Sequence, residues 1–154
     1  MILKPHEIMP VDLSTMYNHF STLLYDSSAQ PLQFENNRHE ANQDCNDLNK
    51  EISILEIENV INNLSNGKSA GIDGIGAEFY KHTITDILPI FHKLFNNILI
   101  TGVFPKSWTQ SILCPIFKSG SKNNPSNYRG ILITTTIYKI FSSIINNRLF
   151  VNDT

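Results

Sequence analysis

The stretch from Ile112 to Thr136 admits few folds. Two runs rich in β-branched and aromatic residues, Ile112 to Phe117 and Ile131 to Thr136, are each too short to hold a helix by themselves. Between them Ser119 to Asn127 is polar and turn-forming, with Gly120, Pro125, Asn123, Asn124 and Asn127. Two such runs joined by such a segment form an antiparallel strand pair, here near residues 112–134. Lys118 leaves the first strand, and Tyr128 and Arg129 lead into the second, so one loop carries a cation at each end. That arrangement suits a polyanion, because Arg offers phosphate a planar fork and Lys a mobile point charge. On spacing alone the plainer reading, two solvated loop charges, is favoured, since exposed cations contribute little energy.

The 154 residues suffice for one domain with a sizeable core. Twelve Lys and Arg against fourteen Asp and Glu give a net charge of -2, which is not the basic balance of a dedicated nucleic-acid binder. Any basic footprint must therefore be local. The two cysteines, Cys45 and Cys114, have no His or Cys companion at ligand spacing, so a reducing compartment and no zinc site are expected. The opening MILKPHEIMP lacks the apolar centre of a signal peptide, and no window is apolar enough to span a membrane.

The rest of the chain reads as helices. Met16, Phe20, Leu23 and Leu24 form a stripe over Ser14 to Tyr25. Asp26 to Lys50 is polar and reads as a linker, and its His39, Asp44, Cys45 and Asp47 match no metal-ligand spacing. Ser53 and Glu56 form a capping box, Ile52 and Ile57 a hydrophobic staple, and Gly67 a stop, which predicts a helix from Ile54 to Ser65. Asn66 to Gly76 holds four glycines and must be a loop. Its Gly-Lys-Ser is not a phosphate loop, because the required first Gly falls on Asn62. Asp73 reads best as a turn residue bonding its own backbone. A short helix over Ala77 to Lys81 precedes a longer one, with Asp86 as N-cap, Pro89 in its first turn and Gly102 at its end. Ile87, Phe91, Leu94, Phe95 and Ile98 are its core stripe, with His82 and His92 at the surface. Trp108 is expected to anchor packing beneath the hairpin. A last helix runs from Ile137 to Phe150 with Ile137, Phe141, Ile144, Ile145 and Leu149 on one face. The expected class is α+β, mostly helical. Residues 1–50 are read as tail, short helix and linker, 51–150 as the folded part, and 151–154 as tail.

Three ordered blocks resemble the front of the reverse transcriptase domain of LINE-type, non-LTR retrotransposons. NGKSAGIDGIGAEFYK (Asn66 to Lys81) is similar to that family's N-G-K-x-P-G-x-D-G-I-x-x-E-F loop and helix. LPIFHKLFNNILITGVFPKSW (Leu88 to Trp108) is similar to its L-F-N-x-I-x-x-x-G-x-x-P-x-x-W block. CPIFKSGSKNNPSNYRGILITTTIYKIFSSIINNRL (Cys114 to Leu149) resembles its P-I-x-K-x-G…N-Y-R-P-I-x-L…K-I-x-x-x-I-x-x-R-L block. Two positions depart from the pattern: the family usually has Pro where this chain has Ala70 and Gly130.

The resemblance implies a partial fingers and palm subdomain of a right-hand polymerase. It implies that Lys118 and Arg129 meet the triphosphate of an incoming nucleotide, with Asn127 and Tyr128 shaping the approach. Lys68 and Lys122 become candidates for the template backbone. The complete enzyme would act on an RNA template, a DNA primer and deoxynucleotides, using two Mg2+ ions held by palm aspartates. The only acid after Asp86 is Asp153, so this chain is expected to lack those carboxylates, to hold no cofactor and not to polymerise alone. The alternatives are a non-catalytic RNA-binding module and a vestigial helical interaction protein. The second of these predicts no strand pair at 112–134.

Overall fold

A computed structural model describes residues 10–24 and 48–150. These residues fall into two compact units: α1 with residues 113–132, and residues 48–112 with 133–150. The linker and its His39, Asp44, Cys45 and Asp47 lie outside the described residues.

The larger unit is helical. Helix α2 (Ile54–Asn62) begins as its sequence dictates, with Glu56 N–H donating to Ser53 Oγ at 3.3 Å and Ser53 N–H donating to Glu56 Oε2 at 2.8 Å. The staple residues Ile52 and Ile57 are both fully buried. Ser53→Ala should therefore cost about 1 kcal/mol, read as a lower urea midpoint with an unchanged slope. The helix ends at Asn62 rather than Ser65. Leu64 N–H bonds back only three residues, to Ile61, which tightens the last turn, and the Asn and Ser that follow favour local bonds over helix.

Helix α3 (Ala77–His82) runs almost directly into α4 (Ile84–Thr101). Thr83 joins them, its amide and hydroxyl both donating to the Phe79 carbonyl while its own carbonyl accepts from Asp86 and Ile87. Asp86 is thus inside the first turn rather than the cap. Pro89 falls inside the helix rather than in its first turn. Gly102 closes α4 in the left-handed region, with φ 67°.

The core of this unit is an aromatic cluster. Phe95, fully buried, has ring neighbours in Phe91, Trp108 and Phe141 at 5.2–6.3 Å between centroids. Trp108 lies on a 3-10 turn (Lys106–Thr109), and its ring partners Phe95, Phe104, Tyr138 and Phe141 all belong to the helical unit. This replaces the expected seat beneath the hairpin: the ring fills the helix cluster, which has the room and the apolar surface. Helix α5 (Thr136–Phe150) buries Ile140, Phe141 and Ile144, while Leu149 is half exposed. The buried face is thus turned toward Ile140 relative to the predicted stripe.

The strand pair is β1 (Ile112–Phe117) and β2 (Tyr128–Ile133), a two-stranded antiparallel sheet. The fold is α+β and mostly helical, as the sequence predicts. Strand β2 begins three residues before the expected Ile131 and stops at Ile133, because Thr134 to Thr136 turn the chain into α5. Helix α1 (Leu13–Leu24) is capped by Asp12, a residue the sequence reading passed over. Its carboxylate accepts from the Thr15 amide at 2.9 Å and from the Thr15 hydroxyl at 2.6 Å, and these bonds and that of Ser14 hold it well below the usual carboxylate range. Met16 and Phe20 are buried with Val11, against Leu113 and Tyr128. Leu23 and Leu24 are exposed. The Phe20 ring sits over Gly130, where an added Cβ would lie 2.8 Å from Phe20 Cε1 and 2.9 Å from Leu113 Cδ1. Gly130, the departure from the family's Pro, is the seat for that ring.

Candidate functional site

The hairpin loop is built by local bonds. Asn124 caps a 3-10 turn (Pro125–Asn127) by accepting from the Ser126 amide at 3.0 Å. The Asn127 amide donates to the Ser121 carbonyl at 2.9 Å, and the Tyr128 hydroxyl donates to the Lys122 carbonyl at 2.8 Å. Asn127 and Tyr128 thus shape the loop itself, through bonds to its backbone.

One bond sets the register. Lys118 N–H donates to the Asn127 carbonyl at 2.8 Å, which places Phe117 opposite Tyr128 and Ile116 opposite Arg129. The Phe117 and Tyr128 rings meet edge to face at 5.4 Å, as that register demands. Directly opposed residues share a face, and neighbours along a strand alternate. Lys118 and Arg129 therefore fall on one face, on a diagonal of about 7–8 Å. Phe117 and Tyr128 fall on the other. Both cations are exposed, and among the described residues neither head group has a carboxylate partner. No carboxylate lies anywhere from Ile87 to Asn152 in sequence, so the hairpin itself contains none.

The other two candidate cations are placed apart from that pair. Lys122 turns to the opposite face, its ammonium 5.8 Å from the centroid of the Phe117 ring. Lys68 is exposed in the glycine loop of the helical unit. That loop is a structural turn: Asp73 accepts from the Ile75 amide at 3.2 Å, Gly74 N–H donates to the Gly71 carbonyl at 3.0 Å, and Gly67 N–H donates to Glu78. The last bond holds the Glu78 carboxyl below its ordinary range. Burial, with the Asp73 carboxylate adding to it, pushes the nearby Tyr80 hydroxyl up to about 12.

The sequence reading missed Arg148. Its guanidinium donates to Glu56 at 2.8 and 3.1 Å, to the Leu48 carbonyl at 3.2 Å, to the Glu51 carbonyl at 3.0 Å and to the Lys50 carbonyl. All five guanidinium donors are used. The side chain is 9% exposed. Arg148 is thus a structural clamp from α5 to the start of α2, not a ligand for a polyanion.

The chain is related to proteins of mobile elements, RNA-directed DNA polymerases among them. It is 31% identical over 101 residues to a probable RNA-directed DNA polymerase from transposon BS of Drosophila melanogaster, covering 65% of this chain and 11% of that protein. It is 27% identical over 99 residues to the RNA-directed DNA polymerase from mobile element jockey of the same species, covering 64% and 11%. A 149 kDa protein of transposon TX1 from Xenopus laevis is 28% identical over 102 residues, covering 66% and 8%. The chain thus spans about a tenth of the length of these relatives. No protein-family model matches it. No helix among the described residues is long and apolar enough to cross a membrane.

Proposed function

We propose that residues 54–150 are the fingers region of a mobile-element RNA-directed DNA polymerase, and that the 112–133 hairpin presents Lys118 and Arg129 to the triphosphate of an incoming deoxynucleotide. The observation that carries this reading is the register. It sets two exposed cations on one face of a hairpin that has no carboxylate to neutralise them. The relatives named RNA-directed DNA polymerases support the polymerase part. The presence of the strand pair speaks against a purely helical interaction protein.

Arg129 grips a phosphate in a fork and Lys118 adds a point charge beside it. Lys122 and Lys68 serve the template backbone, each as a sequence-independent contact. Two-metal nucleotidyl transfer needs clustered carboxylates. Among the described residues no three His, Cys, Asp or Glu side chains come together, so the donor set here does not fit a metal pair. In this reading the chain binds and positions, and the metal ligands of the complete enzyme come from elsewhere.

The test is binding of dTTP to the 154-residue chain, followed by backbone amide shifts at fixed salt. A charge-assisted contact is worth about 1.5–3 kcal/mol. Arg129→Ala should therefore weaken binding about tenfold or more, and Lys118→Ala less. Shifts should centre on residues 116–118 and 127–129. Binding left unchanged by Arg129→Ala would remove the basis for the proposal.

A further inference from the structure

We infer that the opposite face of the same hairpin, where Phe117 and Tyr128 meet, is a stacking platform for an unpaired nucleobase of a single strand. The Phe117 ring is 36% exposed on a strand end. Tyr128 braces its edge at 5.4 Å and is itself packed against the Val11, Met16 and Phe20 cluster, so the platform is anchored rather than free to collapse. The Tyr128 hydroxyl is bound to the Lys122 carbonyl, which holds the loop beside the ring. The Lys122 ammonium already lies over the ring at 5.8 Å.

An exposed aromatic face with a mobile cation over it matches one kind of partner closely. A base offers a flat π-face, and a phosphate always lies next to it along the strand. On binding, the base takes the ring and Lys122 moves from ring to phosphate, trading a weak exposed cation–π contact for a charge-assisted one. A duplex cannot do this, because its bases are covered above and below. An apolar protein helix fits poorly, because the loop from Lys118 to Asn127 next to the ring is Lys, Ser, Asn, Gly and Pro. The platform and the Lys118–Arg129 pair are on opposite faces, so the two readings stand separately.

The experiment compares two short oligonucleotides of equal charge on the full 154-residue chain: an oligouridylate and the same backbone without bases. Fluorescence anisotropy at fixed salt reads the affinities. The base-bearing strand should bind about tenfold tighter. Phe117→Leu, with its fold checked by circular dichroism, should erase that difference while leaving the abasic affinity unchanged. Lys122→Ala should weaken both strands. Equal affinity of the two strands for the unaltered chain, which would mean purely electrostatic binding, would overturn the inference. So would a Phe117→Leu chain that still prefers the base-bearing strand. Neither outcome touches dTTP binding through Arg129, which is read in its own assay.

Discussion

Gly71→Ala is expected to destabilise the helical unit by about 3 kcal/mol or more, enough to remove a large share of the stability of a small domain. The reason is backbone, not conformation. A Cβ at residue 71 would lie 2.6 Å from both Thr135 Cα and Thr135 N, and 2.7 Å from the Thr134 carbonyl oxygen. No side chain can swing aside, because the clash is with main chain. The strain must move either the 66–76 loop or the entry to α5, where the Thr136 hydroxyl donates to the Ile75 carbonyl at 2.9 Å. Thr135 itself is buried, so the junction has no slack on that side either. Gly67→Ala is the matched control. Nothing lies within 4 Å of its Cβ position, and only its φ of 69° opposes a side chain. It should cost about 1 kcal/mol. Urea unfolding followed by circular dichroism ranks the two. A Gly71→Ala chain no less stable than Gly67→Ala would refute the packing argument.

Arg148→Ala should cost about 3 kcal/mol, because it leaves the Glu56 carboxylate and three backbone carbonyls without their donor. Arg148→Lys should recover little of this, since one ammonium cannot reach five acceptors arranged around a planar fork. The pair also makes stability depend on pH. The Arg148 guanidinium bonded to it, with the Ser53 bonds, lowers the Glu56 pKa from 4.5 to about 2. A carboxyl with a depressed folded pKa stabilises fully above its unfolded value and progressively less as protons are added. The contribution is thus complete above about pH 5 and is lost as pH falls through about 2. Glu56 is 36% exposed, so solvent screens part of it. The urea midpoint of the unaltered chain should fall more steeply from pH 5 to pH 2 than that of Arg148→Ala. Parallel pH profiles would show that the ion pair does not carry the effect.

These two residues mark the limit of what was legible in the chain. Gly71 reads as one of four loop glycines, and nothing near it in sequence announces Thr135. Arg148 reads as an ordinary charge near the end of a helix, while its acceptors lie 92–100 positions earlier. Ile140 was missed for a related reason. Periodicity gives a helix its apolar stripe, but the centre of the buried face is set by the helices it meets.

What the sequence determined by itself was local. The Ser53–Glu56 capping box, the left-handed stop at Gly102, the Asp73 turn and the existence of a strand pair each depend on groups a few residues apart, where chain connectivity already supplies the proximity. The candidate cations Lys118 and Arg129 were also read from the chain, but as the two ends of a loop. Only the tertiary structure decided that they share a face, that Lys122 turns to the other, that Phe20 rests on Gly130 and that Arg148 clamps Glu56. Those facts depend on strand register and on contacts between distant segments. A one-residue slip in register would exchange the faces of every side chain on a strand, and a pattern of residue types does not specify register to that accuracy.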